Sequence, residues 1–155
     1  MRLKVMWPGK TRNAHLKQMQ DFYLDRINSL ERCELFETRE AKGIPESQED
    51  RIKDIETSGL EKHLKDDYIV CLLDRGREMD SRQFAVFLYE TAANHPHAIS
   101  FVVGGYLGLA DRLLSRAQTL LSLSRMTFSH ELARVVLLEQ IYRALTIMKG
   151  RPYAK

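Results

Sequence analysis

The sequence predicts an α/β protein with a parallel sheet flanked by helices. Three observations carry this. Short apolar runs of strand character alternate with segments of helical spacing from one end of the chain to the other. Two of the runs, YIVCLL (68–73) and AISFVV (98–103), read as buried strands, and the first is continuously apolar, as a strand covered on both faces would be. The length, 155 residues, suits one core of ordinary size, and no repeat, low-complexity tract or domain linker interrupts it, so residues 1–155 read as a single domain.

The elements follow in order. RLKVMW (2–7) is a strand ended by Pro8-Gly9. Residues 13–30 carry Leu16, Met19, Phe22, Tyr23, Ile27 and Leu30 at helical spacing. CELFET (33–38) is a second strand, and the polar stretch 39–48, with Gly43 and Pro45, reads as a mobile loop. Residues 49–64 are a charged helix, weakened at Ser58-Gly59. After the strand at 68–73, DRGREMD (74–80) reads as a loop. A helix over 81–93 is capped by Asp80 or Ser81. The strand at 98–103 stops at Gly104-Gly105, a short helix spans 109–117, and 118–123 is the last strand. A long helix over 129–149 ends at Gly150 and Pro152.

Composition excludes several function classes. No window approaches the run of about 20 apolar residues that a membrane span needs. MRLKVMWPGK lacks the apolar core and cleavage site of a signal peptide, so a cytoplasmic protein is expected. Cys33 and Cys71 stand apart, each inside an apolar segment, as buried structural thiols do. Net charge is +3, from 24 Lys plus Arg against 21 Asp plus Glu. That bias is too weak for a general nucleic-acid coat, yet it allows a local basic patch.

In open α/β sheets, ligands bind beyond the carboxyl ends of the strands. Three loops qualify, after Leu73, after Val103 and after Leu123. FVVGGYLGL (101–109) places three glycines behind a buried strand, where they serve a tight turn or a ligand's close approach to the backbone. A dinucleotide fingerprint belongs to the first strand of such a unit, and these glycines follow the fourth. A phosphate loop ending GK[ST] does not occur. LSLSRMTFSH (121–130) leaves the last strand near Ser124, and Thr127 or Ser129 can cap the next helix. That helix is apolar over more than one face, which predicts burial on two sides, one of them against a second subunit. Arg134 and Arg143 lie among its apolar positions and need partners; Glu131 or Glu139 would serve Arg134. His95 and His97 flank Pro96, as metal ligands or, more simply, as an exposed turn.

FVVGGYLG, the block SLSRMTFSHELARVVLLEQIYRA and the tail RPYAK together resemble the bacterial ribosomal RNA large subunit methyltransferase H family. The MRLKV start and the chain length agree, so the resemblance spans the whole chain. It implies a SPOUT fold, with a parallel sheet flanked by helices and a C-terminal trefoil knot. It implies a homodimer that methylates N3 of a pseudouridine in 23S rRNA of the assembled ribosome, with S-adenosylmethionine bound in the knot. It implies Leu72, Gly104, Leu123, Ser124, Arg125, Met126, Thr127 and Phe128 as cofactor-binding residues. Three places depart from the family pattern: Ser129 replaces a proline, Tyr106-Leu107 replace a small residue or proline and a polar one, and Ala154 replaces a tail histidine.

Methylation at N3 requires loss of the N3 proton, and the charge left behind spreads onto the flanking carbonyl oxygens. His130, Arg134, Tyr142, Arg143 and Tyr153 are the catalytic candidates. His130 reads equally as a general base or as a helix-start residue bonded to backbone. No metal is expected. RNA contact is expected from Lys4, Lys10, Arg12, Arg75, Arg77, Arg151 and Lys155. An ordinary nucleotide-binding α/β protein is a rival disfavoured by the glycine placement, and two further rivals are separated by experiment. A SPOUT methyltransferase with another RNA target is separated by mapping the methylated nucleotide; a non-catalytic ribosome-binding module is separated by cofactor binding.

Overall fold

A computed structural model describes residues 1–153. The chain runs β1 (Arg2–Pro8), α1 (Ala14–Asn28), β2 (Arg32–Thr38), a short 3-10 turn (Glu46–Gln48), α2 (Glu49–Glu61), β3 (Tyr68–Glu78), α3 (Ser81–Asn94), β4 (Ile99–Val102), α4 (Asp111–Arg116), β5 (Thr119–Ser122) and α5 (His130–Met148). The strands form one five-stranded sheet in the order β2-β1-β4-β3-β5. Every pairing is parallel.

Alternation along the strands divides the core. Leu3, Val5 and Trp7 of β1, Val70 of β3 and Phe101 of β4 pack with Ile27 of α1, Leu88 of α3 and Leu137, Leu138 and Ile141 of α5. Met6, Ile69, Cys71 and Val102 point the other way, onto Leu60 of α2 and Leu113 of α4. The sheet is therefore sandwiched, which is why its central strands are apolar on both faces. α5 lies between α1 and α3, in contact with both. That position accounts for its wide apolar surface within a single chain.

The caps resolve both alternatives left open, for the helices at 81 and at 129. Asn13 accepts from the amides of His15 and Leu16, Asp80 and Gln83 form a capping box, and Ser129 accepts from the amide of Leu132. Cys33 and Cys71 are buried, and burial pushes both thiols up to about 12, so they stay protonated.

One element differs from expectation. Residues 74–78 belong to β3 rather than to a loop. Leu72 and Arg77 both partner Leu121 of β5, so the intervening residues bulge out and the ladder then resumes. Gly76 permits this, because a Cβ there would lie 2.6 Å from the Leu120 carbonyl oxygen. The loop at 39–48 is also fastened, by Arg12 to Glu40 (2.7 Å) and by the Ala41 amide to Glu56 (3.2 Å).

Candidate functional site

At the bulge of β3 and the carboxyl ends of β4 and β5, three segments close around a cavity of about 410 Å³. Leu72 to Arg75, Val103 to Leu109, Leu123, Ser124 and Met126 to Phe128 supply most of its walls, and His130 and Ala133 of α5 contribute. The position is the one at which open parallel sheets hold ligands, and the volume falls within the ~300–1,000 Å³ usual for small-molecule sites.

The glycine cluster is both a turn and a wall. Gly108 has φ +87°, its amide donates to the Gly105 carbonyl (3.0 Å), and a Cβ on Gly104 would sit 2.9 Å from the Gly108 backbone. The last loop is shaped by its hydroxyls. Ser124 Oγ accepts from the Met126 amide (3.0 Å), Ser122 Oγ donates to the Asp74 carbonyl (2.9 Å), and Thr127 Oγ1 lies 3.5 Å from Asp74 Oδ2. Two loops distant in sequence are thereby tied together at the cavity floor. The result is a pocket with apolar sides, Leu72, Leu121 and Leu123, and backbone polar groups along its edges. It suits a flat heteroaromatic ligand with polar substituents.

Of the expected cofactor residues, Leu72, Gly104, Leu123, Ser124, Met126, Thr127 and Phe128 all line this cavity. Arg125 does not. Its side chain is exposed and reaches Glu78 (3.4 Å). Met126 and Tyr106 stand at the rim, 78% and 74% exposed.

The catalytic candidates divide into two groups. His130 and Arg134 are one helical turn apart and both line a second cavity, of about 340 Å³, beside the first. Arg134 is buried, and its partners differ from those expected. It donates to Thr11 Oγ1 (2.9 Å) and to the Pro8 carbonyl (2.8 Å), with the Trp7 ring centroid 5.0 Å from Cζ. Glu131 instead accepts from the amides of Arg12 and Asn13, and Glu139 binds Arg143. Desolvation brings Arg134 down to about 10, so it remains a cation. Burial and the Arg134 charge both lower His130, which is therefore neutral at pH 7.

Tyr142, Arg143 and Tyr153 form the other group, around Glu139. Arg143 Nη2 and Tyr153 Oη both bond Glu139 Oε1 (2.6 and 3.1 Å), and the rings of Tyr142 and Tyr153 meet edge-on with centroids 4.7 Å apart. Burial and the hydrogen bond to Glu139 raise the Tyr153 phenol, so it stays protonated and can donate. Arg134 and Arg143 are nine residues apart, roughly 13 Å along the helix axis. Tyr142, Arg143 and Tyr153 line neither the 410 Å³ nor the 340 Å³ cavity.

Among the basic residues, Lys10, Arg12, Arg75, Arg77 and Arg151 are exposed. Lys4 is not: it is buried against Asp67 (2.7 Å) and the His63 carbonyl (2.9 Å), which removes it from any RNA surface. Lys155 and Ala154 lie outside the described residues. His95 and His97 face each other edge-on beside Tyr68 in the turn before β4. Among the described residues, no three His, Cys, Asp or Glu side chains converge as a metal site would require, and no helix is long and apolar enough to cross a membrane.

The whole arrangement has relatives. A family described as "predicted SPOUT methyltransferase" matches residues 1–154. Ribosomal RNA large subunit methyltransferase H of Geobacter metallireducens is 39% identical over 154 residues, 99% of this chain and 98% of that one. The protein of the same name from Clostridium botulinum strain Langeland is 38% identical over 160 residues, the full length of both. Among solved structures, a probable methyltransferase from Bordetella pertussis Tohama I shares the fold at a TM-score of 0.57, with 13% identity over 93% of this chain and 94% of that one. The chain belongs to the SPOUT methyltransferases, in the ribosomal RNA large subunit methyltransferase H family.

Proposed function

We propose that the chain binds S-adenosylmethionine in the 410 Å³ cavity and methylates N3 of a pseudouridine in 23S rRNA of the assembled ribosome. The observation that carries the reading is the cavity itself, which the glycine turn after β4 and the hydroxyl-braced loop after β5 build at the carboxyl end of the sheet. The full-length kinship with rRNA methyltransferases points the same way.

When bound, the cofactor supplies an electrophilic methyl group. The chain does the rest. Leu72 and Leu123 flank the adenine and Met126 covers it from the rim. Gly104, Ser124, Thr127 and Phe128 offer backbone and hydroxyl groups to its edges, and Arg125 contributes through its backbone alone. Arg134, a fixed cation, stabilises negative charge that develops on the base carbonyls. Neutral His130 offers one donor and one acceptor at the mouth shared by both cavities.

The reading includes a homodimer. Phe22, Val86 and Tyr89, each 46–62% exposed, leave apolar surface on α1 and α3. A second copy also gives Arg143, Tyr142 and Tyr153 a site to serve, since their own chain places them far from the cavity. The trefoil threading belongs to the reading as well; β5 pairing on both sides of the bulge in β3, with Ser122 latched onto Asp74, is what it would need there.

Isothermal titration with S-adenosylmethionine, NAD and ATP tests this. Selective binding of the first is expected, and a folded protein that binds none of it contradicts the proposal.

A further inference from the structure

The second cavity contains a group the sequence did not single out. It shares Gly105, Tyr106, Leu107 and His130 with the cofactor cavity, so a base lying in it would abut whatever the first cavity presents. Its walls include two buried charges, Glu56 of α2, 6% exposed, and Arg134, 1% exposed. Glu56 Oε2 accepts from the Ala41 amide (3.2 Å). Gly105 makes room for the other oxygen: a Cβ there would lie 2.7 Å from Glu56 Oε1. The glycine pair thus serves both cavities, Gly104 for the turn and Gly105 for this carboxylate.

We propose that the acceptor base enters this second cavity and that Glu56 takes up its N3 proton. The proposal rests on the methyltransferase reading above. In the step, the N3–H bond breaks and its proton passes to a Glu56 carboxylate oxygen. The nitrogen's electron pair forms the new N–C bond as the methyl–sulfur bond breaks, its pair remaining on sulfur. Charge decides between Glu56 and His130 as acceptor of the proton. Protonating His130 creates a half-buried cation next to Arg134, and partial burial and that arginine both oppose it. Protonating Glu56 cancels a buried anion. Burial is also the main reason its carboxyl lies above the usual range; Glu40 adds to the rise, while the Ala41 amide and Arg134 oppose it.

Glu56→Gln tests the assignment, since it keeps the shape and an acceptor for the Ala41 amide. The expected result is S-adenosylmethionine affinity within about twofold of wild type and a fall in the single-turnover methylation rate of about 100-fold or more. A second readout does not involve activity. Relative to wild type, Glu56→Gln should gain stability in urea as the pH rises above 4.5, the ordinary carboxyl value, and the gain should vanish below it. A Glu56 held as a carboxylate by its loop contact would instead leave the variant less stable above 4.5 and unchanged below it. Gly105→Ala pushes the carboxylate aside and should slow transfer in the wild-type background but not further in Glu56→Gln. A Glu56→Gln variant that methylates at the wild-type rate overturns the assignment and leaves the methyltransferase reading standing. A wild-type protein that methylates no ribosomal RNA overturns both.

Discussion

The guanidinium of Arg134 is held by the Thr11 hydroxyl, the Pro8 carbonyl and the face of Trp7, and among the described residues no carboxylate hydrogen-bonds it. Among the described residues its Nε and the Trp7 Nε1 find no acceptor. Such a site would not be chosen for stability alone. Removing the side chain still costs, because Thr11 and Pro8 lose their partner and a cavity opens. Arg134→Ala should lower the unfolding free energy by about 3 kcal/mol in urea and also reduce methylation per folded molecule. Full transfer by the folded variant would remove Arg134 from the mechanism. His130 sets a pH limit. Its folded value lies below the ordinary 6.5, so unfolding binds its proton more readily. The stability it supports is complete above 6.5 and is lost as the pH falls through that value. His130→Gln should flatten the stability profile between about pH 7 and pH 5. Gly104 is set by contact, and Gly104→Ala, with its Cβ 2.9 Å from the Gly108 backbone, should weaken cofactor binding by about tenfold or more in titration.

At the scale of elements, polar residues inside apolar ones determine where the loops go. Lys4 of β1, Asp67 before β3 and Ser100 of β4 form a buried network, with Asp67 Oδ2 accepting from Lys4 Nζ and Ser100 Oγ (both 2.7 Å). It lies near the amino ends of the strands, away from the cavity. Lys4→Ala leaves the Asp67 charge unpaired and should cost about 3–5 kcal/mol in urea without changing cofactor affinity. Strand and helix periodicity made the order of elements legible, because alternation and 3.6-residue spacing are local. The continuation of β3 to Glu78 was not legible. DRGRE carries no apolar pattern, and its strand geometry comes from a pairing with β5 more than 40 residues away in sequence. Lys4 misled for a related reason: a lysine in RLKVMW reads as the exposed face of a strand until Asp67 arrives from another segment.

At the scale of the molecule, the site is a meeting of loops from β3, β4 and β5 with the start of α5. The glycines and the 121–130 loop were legible as cavity-forming segments because they directly follow apolar strands, where open parallel sheets leave a crevice. The grouping of His130 with Arg134, apart from Arg143 and Tyr153, was not, since distance along a helix matters less to the eye than shared chemistry. Glu56 was hidden as one carboxylate in a charged helix, and its burial and the close approach of Gly105 set it apart. The exposed basic residues, Arg75 and Arg77 among them, are the candidates for an RNA surface. With a net charge of +3, binding to the ribosome should be modest and salt-dependent. Replacing Arg75 and Arg77 together by alanine should weaken it and reduce the slope of log affinity against log salt by about 2. An unchanged slope would place those arginines off the RNA.

The cavity at the ends of the strands should deliver a methyl group to one base of ribosomal RNA. Incubating the purified protein with methyl-labelled S-adenosylmethionine and ribosomes from cells lacking the enzyme, then mapping 23S rRNA by mass spectrometry, tests it most directly. One label at N3 of a single pseudouridine is the predicted result. Unlabelled 23S rRNA, from a folded protein that holds the cofactor, would contradict it.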